Sequence, residues 1–119
     1  MSDCLSESEL GEIGRTCLED FDRRVPAIPE DLCAPFHDEA KQLETGLLFL
    51  YRATVICVRR EPEMEVVAKR WGSMVSISNE FLAKLKALQE KHPACGAEMY
   101  YDRAFDLRNK CKRLQEMHQ

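Results

Sequence analysis

Long apolar runs are missing from this chain: its most apolar stretch, Gly46 to Val58, is interrupted by Arg52, well short of the roughly eighteen residues a membrane span requires. No membrane contact is expected. Glycine and proline are scarce, five of each in 119 residues, which excludes collagen-like and low-complexity chains. No glycine-rich phosphate loop, Cys-x-x-Cys pair or dinucleotide fingerprint occurs, so nothing points to a nucleotide or thioredoxin-like chemistry. No Glu-x-x-His occurs either, which argues against a ferritin-like di-iron centre. No cofactor is therefore expected. Strand-like alternation is absent as well. What remains is ordinary globular composition, 45% hydrophobic and 32% charged, in a length suited to one domain. Residues 1–119 are read as a single helical-bundle domain.

Charge is unevenly spread. Residues 1–35 carry nine acidic and three basic side chains, whereas 36–119 carry twelve and fourteen, for a net −4 overall. That balance does not supply the clustered cations that phosphate neutralisation needs, so nucleic acid is not an expected partner. The one basic cluster, Arg108, Lys110, Lys112 and Arg113, suits the last turns of a helix. Six cysteines are many for this length. Because the chain opens Met1-Ser2-Asp3 without a basic-then-apolar leader, an unexported, cytoplasmic protein with six reduced thiols is expected. Cys17, Cys57 and Cys111 fall on apolar stripes, and Cys4, Cys33 and Cys95 at segment edges.

Four helices follow from periodicity and punctuation. Ser6 and Glu9 have the form of a capping box, and Leu10, Ile13, Cys17, Leu18 and Phe21 recur at helical spacing, predicting a helix over about 7–23. Pro26, Pro29 and Pro35 predict an extended linker over 25–36. A second helix is predicted over about 36–61. Pro62 and two glutamates open a third, whose seam Met64, Val67, Trp71, Met74, Ser78, Phe81, Leu85 and Leu88 ends near His92. Pro93 and Gly96 break the pattern. Ala97, Tyr100, Ala104, Leu107, Cys111 and Leu114, flanked by Tyr101 and Phe105, then define a fourth helix over about 95–118. Short connections force neighbours to run antiparallel. The expected fold is an all-α, up-and-down antiparallel helical bundle of three long helices plus a shorter N-terminal helix. In domain terms, 1–35 form the acidic helix and its proline-containing linker, and 36–119 the long helices.

Two groups of residues stand out as candidate sites. The second helix is apolar around most of its circumference: Leu43, Leu47 and Leu50 form one stripe, and Phe49 and Ile56 lie opposite it. Either the helix is central and covered on all sides, or Phe49 and Ile56 contact another protein, most simply a second copy. In an antiparallel bundle Cys33, His37, His92 and Cys95 gather at one pole. Zinc accepts ligands of these types, and a Cys33–Cys95 disulfide or four unlinked side chains are the alternatives. Thr54 and Ser78, polar entries on apolar seams, are expected to bond back to the preceding helical turn.

At the C-terminus, Arg113 and His118 are spaced as Arg-x4-His, which resembles the ribonuclease motif of HEPN proteins, small helical bundles that place two such motifs across a dimer. The likeness covers six residues and departs from that pattern at Leu114. It implies RNA cleavage with Arg113 and His118 in the site. The leading expectation is instead a non-enzymatic helical bundle acting through protein–protein contacts, as a homodimer or small adaptor.

Overall fold

The first helix, α1 (Glu7–Arg24), starts at the capping box: the Ser6 hydroxyl accepts from the Glu9 N–H at 3.1 Å, and the Glu9 carboxylate accepts from the Ser6 N–H at 3.0 Å. Two orphan donors of the first turn are thereby satisfied. These and the following contacts come from a computed structural model that describes residues 4–29, 32–96 and 98–118. Leu10, Gly14, Leu18 and Phe21 form the buried stripe of α1. The helix gives way to a 3₁₀ turn, Val25–Ala27, with Pro26 inside it.

The second helix, α2 (Cys33–Arg59), begins three residues before the expected boundary, and Pro35 lies in its first turn. A proline is tolerated there because the first backbone N–H groups of a helix have no intrahelical acceptor to lose. The expected linker is thus shorter than the spacing of prolines implied. Then come α3 (Met64–Lys91) and α4 (Glu98–Met117), joined through the 3₁₀ turn Pro93–Cys95. Gly96 closes that turn at φ +66°, the left-handed region that glycine enters at little cost. Ala97, part of the expected fourth seam, lies outside the described residues.

Side-chain pairs fix the directions of the helices. Arg24 at the end of α1 meets Glu39 near the start of α2, while Lys84 and Lys69 of α3 reach Asp22 and Glu7. Helix α1 therefore runs antiparallel to α2 and parallel to α3. On α4, Arg108 donates to Asn79 of α3 at 3.0 Å, and Arg103 pairs with Glu44 of α2 at 2.8 Å. The result is an all-α, up-and-down bundle whose Cα atoms span 51 × 27 × 15 Å. Among the described residues there is no strand.

Two details refine the expected bundle. With 20 residues α4 is closer in length to α1, with 18, than to α2 and α3, with 27 and 28. Helix α3 contacts all three others, and its contact with α4 is the most extensive in the molecule. Small side chains on the α4 face, Ala104 and Cys111, let those two axes approach. The core is built from Phe36, Leu47, Leu50, Met74, Phe81, Leu85 and Leu88, all essentially inaccessible. Within it, Thr54 donates to the Leu50 carbonyl at 2.9 Å and Ser78 to that of Met74 at 2.7 Å, the back-bonding expected of hydroxyls on buried helical seams. Phe105, which flanks the fourth seam, is exposed and stacks on Tyr101.

Candidate functional site

Phe49 and Ile56 lie two helical turns apart on α2 and are 51% and 40% exposed. Helix α1 does not cover them. The reason is the way α1 seats on α2: it settles over Gly46, with the Cys17 sulfur 3.1 Å from where a β-carbon on Gly46 would sit, and Gly14 faces Leu50. A side chain at residue 46 would hold the two helices apart. At about 100° per residue, Gly46 and Leu50 point to α1 and the core, which leaves Phe49 and Ile56 on the outer side. Ile13, half-buried on α1, stands next to Gly14, which faces Leu50, and so lies within one helical turn of Phe49 along the antiparallel pair. An apolar strip of Ile13, Phe49 and Ile56 thus runs between the outer surfaces of α1 and α2.

The flanks of this strip differ in charge. Exposed Glu9 and Glu12 lie on the α1 side, with Arg15 ion-paired to Glu19 beyond them. Exposed Arg52 and Arg59 lie on the α2 side. Since Gly14 is level with Leu50 in antiparallel helices, Glu12 is level with Arg52.

The four residues expected at one pole do gather there, but not as a metal centre. Cys33 and Cys95 form a disulfide, with a Cα–Cα separation of 5.3 Å. The His37 ring nitrogen Nδ1 and the Tyr100 hydroxyl share a hydrogen bond at 3.2 Å. His92 is 2% exposed, packs edge-on against Phe36, and has no hydrogen-bond partner at either ring nitrogen among the described residues. With both sulfurs used in the disulfide, no group of three or more potential ligands is arranged to hold a metal ion among the described residues. The zinc reading is corrected accordingly.

The expectation of six reduced thiols is also corrected, because a second disulfide joins Cys4 to Cys57. It ties the segment before α1 to the end of α2, where Arg70 of α3 donates to the Leu5 carbonyl at 2.6 Å. Sequence reasoning placed Cys57 on a buried stripe and Cys4 at a segment edge. Only the antiparallel register of α1 and α2 brings the two sulfurs together. Cys17 and Cys111 remain as free thiols. Burial pushes both thiols up, Cys111 to about 11, so neither has the thiolate character of a nucleophile near neutral pH.

Elsewhere, the Arg113–His118 pair sits at the end of α4, with Arg113 exposed and His118 one residue past the helix. At the other end of the first helix pair, Arg24 donates from Nε to both carboxylate oxygens of buried Glu39, at 2.9 and 3.1 Å, and from Nη2 to Gln42 at 2.8 Å. That cluster pairs the buried Glu39 carboxylate and locks α1 onto α2. No helix among the described residues is long and apolar enough to cross a membrane. No family model, curated protein or solved structure matches the chain.

Proposed function

We propose that the protein is a non-enzymatic helical bundle that acts through protein–protein contacts, and that its first partner is a second copy of itself, joined through the Ile13–Phe49–Ile56 strip. One observation carries this reading: two large apolar side chains stay about half exposed on one line of α2, between flanks of opposite charge. Burying the exposed half of each would gain about half of the roughly 1.5–3 kcal/mol that full burial of such a side chain contributes.

Charge selects the arrangement. A two-fold axis in the interface and perpendicular to the helices would stack α1 on α1, acid against acid. An axis parallel to the helices instead lays α1 of one copy over α2 of the other, setting Glu12 against Arg52 of the partner subunit at the same level. Both pairs form at once, as an isologous contact requires.

The two disulfides favour an oxidising compartment over the cytoplasm expected from the sequence.

Light scattering at micromolar concentration should give twice the 13.8 kDa chain mass. A Phe49→Glu plus Ile56→Lys variant should be folded and monomeric. Arg52→Glu should weaken the dimer, and adding Glu12→Arg should restore it, a rescue that loss of apolar area alone would not produce. A wild-type monomer, or a swap without rescue, refutes the reading.

A further inference from the structure

A second apolar face lies about 100° around α2 from the Phe49–Ile56 strip, along its contact with α4. These parallel helices hold one register throughout: Glu44 pairs with Arg103, and Lys110 lies over the Tyr51 ring at 5.3 Å to the centroid. The same offset sets Leu48 level with Leu107 and Val55 level with Leu114. Contact between α2 and α4 is far less extensive than between α3 and α4, so the space between them stays open. Leu48, Tyr51, Val55, Leu107 and Leu114 are only half-buried along it. Between Leu48 and Leu107 the groove deepens into an apolar cavity of about 230 Å³, closed at one end by the Glu44–Arg103 pair.

The rims of this groove are cationic. On α2, exposed Lys41 falls within about 20° of Leu48 around the helix, and on α4 exposed Lys110 falls within about 60° of Leu107 and Leu114. Glu44 is engaged by Arg103, and Asp106 is the one exposed carboxylate on the α4 side of the groove between Arg103 and Lys110. Leu48, Tyr51 and Val55, three and four residues apart on α2, face Leu107 and Leu114 on the parallel α4, the receptor geometry for a helix that presents anchors at i, i+3, i+4 and i+7. Basic rims require that the bound helix be acidic beside its anchors.

We infer that the α2–α4 groove binds an acidic amphipathic helix of a partner protein, seating one large apolar side chain between Leu48 and Leu107 and its carboxylates against Lys41 and Lys110. This goes beyond self-association, because the groove and the Phe49–Ile56 strip face different directions and can be occupied together.

A fluorescently labelled synthetic helical peptide with leucines at i, i+3, i+4 and i+7 and glutamates beside them tests this by anisotropy, with a twin carrying lysines in place of the glutamates. The acidic peptide should bind, more weakly as salt rises. Its affinity should fall about tenfold or more on Leu48→Lys or Leu107→Lys. Lys110→Glu, an exposed substitution that leaves the fold intact, should weaken it as well. The Phe49→Glu plus Ile56→Lys variant should still bind, which separates failure of this inference from failure of the dimer. Equal binding of the basic twin, indifference to Leu48, Leu107 and Lys110, or no binding of the acidic peptide would overturn it. So would binding to vesicles of anionic lipid alone, or a dimer that dissociates on Leu107→Lys, since the occupant would then be a membrane or a second copy.

Discussion

Replacing Cys33 and Cys95 by serine removes the crosslink between the start of α2 and the turn before α4. The two residues are 62 apart in sequence. In the chain-entropy description, opening a loop of that size returns about 14 cal/mol/K to the unfolded chain, or about 4 kcal/mol at 25 °C. Such a loss is a large part of the roughly 5–15 kcal/mol by which domains of this kind are stable. The structure gives no reason to expect an offsetting gain, since helix contacts on both sides of the link hold the ends close whether or not it is covalent. With a urea slope of about 1.5 kcal/mol/M, the unfolding midpoint should fall by about 2–3 M. The Cys4–Cys57 loop overlaps this one across residues 33–57, so removing both links should cost less than the sum of the two. A thiol reagent applied to denatured, unreduced protein should find only Cys17 and Cys111, and all six cysteines after reduction. Six reactive thiols without reductant, or an unchanged midpoint in the double variant, would refute the reasoning.

Leu85, 1% exposed in the α3 seam, should cost about 2–5 kcal/mol on truncation to alanine, through lost contacts and a residual cavity; chemical denaturation that registers under about 1 kcal/mol would mean the site collapses or is not core. His92→Leu should raise stability by about 1 kcal/mol, because it removes two buried ring nitrogens that lack partners among the described residues while keeping an apolar neighbour for Phe36; destabilisation in the same assay would show that the ring has a partner. The Cys111 thiol holds its proton to about pH 11 in the fold, whereas an ordinary thiol loses it near 9.0. Between those values only the unfolded chain gains by ionising, so this contribution to stability is intact below about pH 9 and lost as pH rises toward 11. Cys111→Ala should remove that portion of the alkaline decline, read as a smaller stability difference between pH 8 and pH 10.5 than wild type shows.

Local chemistry made much of the fold legible. The capping box at Ser6 and Glu9, the Pro62 start and the three- and four-residue spacing of the α3 seam are statements about one helix at a time, and each was present in the order of residues. Helix type and number follow from them, and short connections then dictate antiparallel neighbours. Pro35 misled because proline excludes a helix interior but not a first turn, and spacing alone does not say which of those a residue occupies. The surface strip was half legible. Periodicity put Phe49 and Ile56 on one line, yet whether that line was covered depended on where α1 came to rest, and its seat over Gly46 is a property of two helices together. The same holds at the pole: topology gathered Cys33, His37, His92 and Cys95, but the choice between a metal and a disulfide turned on the approach of two sulfurs. The pairing of Cys4 with Cys57 and the groove between α2 and α4 belong wholly to tertiary structure, because register between helices and the gap left where large side chains keep axes apart are set by packing volumes that no single segment contains.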